Sequence, residues 1–168
     1  MVKPELYKKT VDILVDAYFA DTLRHENCYA CAVGNIIAGN CGFKYALLST
    51  DEEMDENCRL YWEGFNSYKK NPNDSAVYLV HSANVNTTLP DSFSNELIKQ
   101  IEATGYSFRE LQIIEDAFEN APYGYSPEDF MFNGLTFVID ALDQIHQNKD
   151  QSISNSSKQR FKKELVKI

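Results

Sequence analysis

Glycine and proline are scarce in this chain of 168 residues, seven and five respectively, so a collagenous, low-complexity or linker-like character is excluded. No stretch approaches the roughly 18 uncharged apolar residues that a membrane span requires, and no membrane partner is expected. The first 24 residues lack a continuous apolar run, because Lys8, Lys9, Asp12, Asp16 and Asp21 interrupt it, and they do not read as an export signal. Cysteine occurs only four times, too rarely for a disulfide scaffold at this length. A reducing, cytoplasmic setting is therefore expected, with thiols serving as metal ligands, redox groups or core filler. Positive charge is also in the minority. Against 25 acidic residues stand 16 basic ones, and a net charge of −9 disfavours nucleic acid as a main partner of this acidic protein.

What is present is core-forming material: 43% hydrophobic residues, with 10 Tyr and 10 Phe. This supports one mainly α domain, a helical bundle of five or six helices over residues 1–147, with room for one short strand pair within 43–90. Residues 148–168 read as a polar, basic tail with space for a short terminal helix, carrying Lys158, Arg160, Lys162, Lys163 and Lys167 against Glu164.

Apolar spacing predicts a first helix over Leu6 to Leu23. A nearly uncharged stretch, Cys28 to Ala38, predicts a central helix whose small-residue stripe (Ala30, Gly34, Ala38) admits close packing. Ser107 with Glu110 forms a capping box, with Tyr106 placed to staple onto Leu111. Ser126 and Pro127 repeat that grammar ahead of a last long helix, with Tyr125 placed to pack on Phe130. The starts Gly105-Tyr106-Ser107 and Gly124-Tyr125-Ser126 form a weak internal repeat. Tyr61, Trp62, Phe65 and Tyr68 fit one helical face and are a candidate surface for a protein partner or a homo-oligomer. Ser75 to His81 fits either a strand or a buried helix.

Reactive side chains crowd together only in His25-Glu26-Asn27-Cys28-Tyr29-Ala30-Cys31. Thiolates three apart on a helix lie about 5–6 Å from each other at Cβ, near enough to chelate one ion, and His25 follows on the same side. A structural zinc site needs a fourth ligand. The candidates are His146, Cys58, Cys41 and His81, with His146 preferred at the end of the best-defined amphipathic helix. The leading expectation is therefore a small cytoplasmic accessory or interaction protein with zinc held by His25, Cys28, Cys31 and His146. The alternative is a thiol-disulfide oxidoreductase, with Cys28 as nucleophile, Cys31 as resolving thiol and Glu26 or His25 as base. Cys28 and Cys31 as small buried hydrophobes is the third reading.

In an all-helical setting the Cys28-x-x-Cys31 pair resembles the alkylhydroperoxidase-like family, whose motif is followed by a histidine and preceded by a proton-relay glutamate. Here Gly34 and Asn35 stand where that histidine falls, and Glu26 is the nearby carboxylate. The segment His25-x-x-Cys28-x-x-Cys31-Ala32-Val33-Gly34-Asn35, followed by Gly105-Tyr106-Ser107 with Glu110-Leu111, Ile114-Glu115 and Ala117-Phe118-Glu119, then Phe132-Asn133-Gly134-Leu135 with Asp140 and His146, also resembles a family of small proteins from Bacteroidota and their phages. That resemblance implies one constellation of His25, Cys28, Cys31 and His146, and no particular reaction. Glu115 and Glu119, four apart, read as part of a solvated acidic face.

Overall fold

The computed structural model describes residues 4–27, 29–47, 60–63 and 95–146. They form a mainly α domain of five helices with one short antiparallel strand pair. Expectations for Phe65, Tyr68, Ser75 to His81, Cys28, Cys58 and the tail 148–168 lie outside the described residues.

Helix α1 (Pro4–Phe19) opens on a proline and a glutamate, both suited to the first turn, and buries Tyr7, Val11, Leu14 and Val15 on one face. It stops short of the expected Leu23. The chain reverses at Asp21 in a left-handed conformation (φ 60°), and the Thr22 amide returns to the Ala17 carbonyl.

Helix α2 (Ala32–Cys41) is entirely buried from Ala32 to Ala38. It begins four residues later than the uncharged stretch predicts, because Asn27 captures the backbone first. Its Oδ1 accepts from the Tyr29 and Ala30 amides, which holds this stretch in turns and leaves Cys31 as the N-cap. Asn35 then ties the turns to the helix. Its Nδ2 donates to the carbonyls of Thr22, Ala30 and Cys31, and its Oδ1 accepts from the Thr22 hydroxyl. Gly42 ends α2 in the left-handed region (φ 74°), with its amide on the Ala38 carbonyl.

Strands β1 (Tyr45–Leu47) and β2 (Leu60–Trp62) pair antiparallel, Tyr45 opposite Trp62. Tyr61 and Trp62 thus lie on a strand, where the spacing with Phe65 and Tyr68 predicts a helix. In a strand the two point to opposite faces, and only Trp62 is fully buried, against Tyr29 and Phe43.

Helices α3 (Asn95–Thr104), α4 (Phe108–Glu119) and α5 (Pro127–His146) complete the bundle. The capping box at Ser107 and Glu110 forms in both directions, and Ser126 Oγ accepts from the Asp129 amide as the cap of α5. The two Gly-Tyr-Ser starts nevertheless diverge: Tyr106 is buried, while Tyr125 lies fully in solvent and Tyr123 stacks on Phe130 in its place. What the two starts share in the structure is their capping chemistry. Central α2 packs against α1, α3 and α4, while α5 packs against α4 and α1. Among the described residues no helix is long and apolar enough to cross a membrane.

Candidate active site: a buried thiol and carboxyl at the start of helix α2

The N-terminus of α2 lies in the middle of the core, so its free amides need internal acceptors. The chain supplies two. Cys31 Sγ accepts from the Gly34 amide at 3.3 Å, and Glu115 of α4 reaches across to accept from the Val33 amide at 3.2 Å. Thiol and carboxyl thus meet on adjacent amides of one helix end, close enough for the Glu115 charge to act on the thiol.

Glu115 is only 3% exposed. Burial, reinforced by the neighbouring Glu119 carboxylate, raises its proton affinity to a pKa of about 8, against the opposing pull of the Cys31 thiol and the Val33 amide. Burial pushes the Cys31 thiol well above its ordinary value too, and the Glu115 carboxylate adds to the shift. Two buried acids, both with raised proton affinity, are therefore held side by side at the positive end of a helix. Tyr45 of β1 lies near enough to Cys31 to feel its charge. Its hydroxyl donates to the Tyr29 carbonyl at 2.6 Å, and burial raises its pKa.

One turn further along α4, Glu119 binds the other end of the Cys31 loop. Its carboxylate accepts from the Glu26 amide at 3.2 Å and lies 3.4 Å from His25 Nδ1. The His25 ring is stacked between Phe118 and Phe130, with centroids at 4.0 and 3.6 Å and planes within 6°. Its Nε2 lies 3.3 Å from the Phe130 carbonyl, so both ring nitrogens are engaged by the protein. Glu26 is exposed and takes a left-handed turn (φ 59°).

Of the proposed zinc ligands, His25 and His146 are not brought together. The His25 ring lies against Gly134 in the first half of α5, whereas His146 is its last residue, about 18 Å further along at 1.5 Å per residue. His146 belongs to a different network, with its Nε2 2.9 Å from the Tyr106 hydroxyl and its ring edge-on to Tyr7 and Tyr106. Cys41 closes α2 at the opposite end from Cys31, and Cys28, Cys58 and His81 lie outside the described residues. Among the described residues no three His, Cys, Asp or Glu side chains are arranged to hold a metal ion.

From sequence Glu115 flanks the apolar face of its helix, yet its i, i+4 spacing with Glu119 matches a solvated pair, and the structure corrects that expectation by burying it. One signal was available. Glu115 lies next to Ile114 and four residues after Leu111, on the buried face of α4. Comparison with known proteins adds no relative: no family model, curated protein or solved structure matches the chain.

Proposed function

We propose that the protein is a thiol-disulfide oxidoreductase of a reducing, cytoplasmic compartment, with Glu115 as the proton acceptor for Cys31. The observation that carries this reading is the placement of the buried Cys31 thiol and Glu115 carboxyl on adjacent amides at the start of α2. A buried thiol of raised pKa is a poor nucleophile unless a neighbouring base takes its proton, and the Glu115 carboxylate, with a pKa of about 8, is a far stronger base than an ordinary carboxylate. The Gly34 amide at the positive end of α2 then supports the thiolate. Glu26 and His25, the bases considered from sequence, are respectively in solvent and locked between two phenyl rings.

The reaction has two steps. The Cys28 thiolate attacks a substrate disulfide, forming a mixed disulfide and expelling one substrate thiolate. The Cys31 thiol passes its proton to the Glu115 carboxylate and attacks Cys28 sulfur, closing the Cys28–Cys31 disulfide and expelling the second thiolate. Both leaving thiolates take up protons, Glu115 supplying one. The substrate disulfide gains two electrons and the protein dithiol loses them.

Reduced protein treated with glutathione disulfide tests this directly, with mass spectrometry following the mixed disulfide and the intramolecular one. The expected result is a Cys28–Cys31 disulfide whose closure accelerates as pH rises toward about 8. In Glu115→Gln the mixed disulfide should persist, with closure slowed about a hundredfold near neutral pH. Closure at an unchanged rate in that variant, or no Cys28–Cys31 disulfide in the native chain, overturns the reading.

A further inference from the structure

The connection between α4 and α5 is short, tightly held and aromatic. Tyr125 is 107% exposed and Tyr123 77%, far more than the aromatic residues of the core. The backbone beneath them is pinned at three points. Asn133 Nδ2 donates to the Pro122 carbonyl at 3.0 Å, and Tyr123 stacks on Phe130 with centroids at 4.2 Å. Gly124 approaches Asp129 so closely that a Cβ there would lie 2.1 Å from the Asp129 Cβ, so no other residue fits without displacing the loop. Exposed tyrosines on a fixed backbone lose little conformational freedom on binding, which is the property of contact hot spots.

The surroundings carry one sign of charge. Asp116 and Glu119 occupy the last turn of α4, Glu128 and Asp129 the first turn of α5, and Glu26 is joined to Glu119 through its amide. Among the described residues no lysine or arginine pairs with any of these five carboxylates, and the neighbouring Arg24 is held by Asp21 at 2.6 Å. Exposed aromatic faces within a field of carboxylates complement a cationic chain, because a guanidinium or ammonium gains both from the ring faces and from the charges. A neutral apolar partner would leave the carboxylates desolvated without compensation.

We propose that Tyr123 and Tyr125, flanked by these carboxylates, form the docking surface for an arginine- and lysine-bearing segment of another protein. Glu119 is the member of this surface that also acts on the Cys31–Glu115 pair, and the docking itself does not depend on thiol chemistry.

The test is titration calorimetry of the full chain with a short arginine-glycine repeat peptide, beside its glutamine-glycine counterpart. The arginine peptide is expected to bind in a salt-sensitive manner and the glutamine peptide not to bind. Tyr125→Ser, which alters a side chain wholly in solvent, and Glu128→Lys should each weaken binding several-fold. Tyr123→Ser with Tyr125→Ser should weaken it about tenfold, with the melting temperature recorded alongside. Equal binding of both peptides, or binding unchanged by Tyr125→Ser and Glu128→Lys, overturns the proposal. Two further outcomes also overturn it by assigning the surface another occupant. One is much tighter binding when Lys162→Glu and Lys163→Glu reverse the charge of the chain's own basic segment. The other is a dimer in sedimentation that Tyr125→Ser dissolves.

Discussion

Glu115 holds its proton across a pH range where an ordinary glutamate has lost it, and this ties one side chain to the stability of the whole chain. In the unfolded chain the carboxyl ionises near its ordinary value of 4.5, and in the fold near about 8. Between those values the folded state binds more protons than the unfolded state, so stability is full below the lower value and falls as pH rises. The slope is about 1.4 kcal/mol per pH unit, and above the upper value the loss is complete. Glu115→Gln carries no charge at any pH and keeps an oxygen for the Val33 amide. Urea unfolding between pH 5 and pH 8 should therefore show a falling stability for the native chain and, for the variant, a curve that lacks this component. Parallel curves would show that Glu115 ionises in the fold as it does in the unfolded chain. His25 makes the opposite point at the same scale. A residue that heads a ligand-like spacing in sequence is used here as a stacking plate, with one nitrogen beside Glu119 and the other beside a carbonyl.

Among the elements, α5 depends on an absence. Gly134 stands in the interior of a twenty-residue helix, where glycine costs about 1 kcal/mol relative to alanine. The reason is the stack packed against it. A Cβ at Gly134 would lie 2.8 Å from Phe118 Cδ2 and Cε2 and 2.9 Å from His25 Cε1. Two parallel rings wedged against Phe130 cannot give way separately. Gly134→Ala should thus lower stability by about 2 kcal/mol despite the gain in helix propensity, as overpacking does. Denaturant midpoints at unchanged slope would establish it, and a stabilised variant would show that the rings shift freely. The same element explains what could be read in advance. The starts of α4 and α5 were legible because a cap and its helix are neighbours in sequence: Ser107 and Glu110 meet within one turn, as do Ser126 and Asp129. The start of α2 was not. It is decided by the Asn27 side chain seizing two amides and by Glu115, which arrives at the Val33 amide from 82 residues away. Composition shows that the stretch is buried, but it cannot show which distant acceptor satisfies its end. The candidate site followed the same division, since Cys31 stands out in sequence and its partner carboxyl does not.

At the scale of the molecule, the first and last described helices close the bundle on each other through a polar seam in the interior. Tyr7 of α1 donates to Asp143 of α5 at 2.7 Å. Beside it runs a chain whose direction its far end fixes. The Thr10 hydroxyl donates to the Leu6 carbonyl, so Thr10 accepts from the Tyr106 hydroxyl at 2.9 Å, and Tyr106 in turn accepts from the proton on His146 Nε2. Burial raises the Tyr106 pKa to about 12, which keeps its hydroxyl protonated and the direction intact at working pH. Removing one oxygen has unequal effects on the two ends. In Tyr106→Phe, Thr10 retains its own bond to Leu6, whereas the His146 N–H loses the tyrosine oxygen as acceptor in a site where His146 is only 6% exposed. Desolvation of that single group predicts a loss of about 1–3 kcal/mol, while Thr10→Val should cost less after Tyr106→Phe than in the native chain. A double-mutant cycle on unfolding free energies measures this coupling, and additive losses would mean that the seam is two separate contacts. Because the seam joins segments nearly a whole chain apart, its formation requires the intervening helices to be in place. The Tyr106→Phe loss should therefore appear mainly as faster unfolding and only slightly as slower folding.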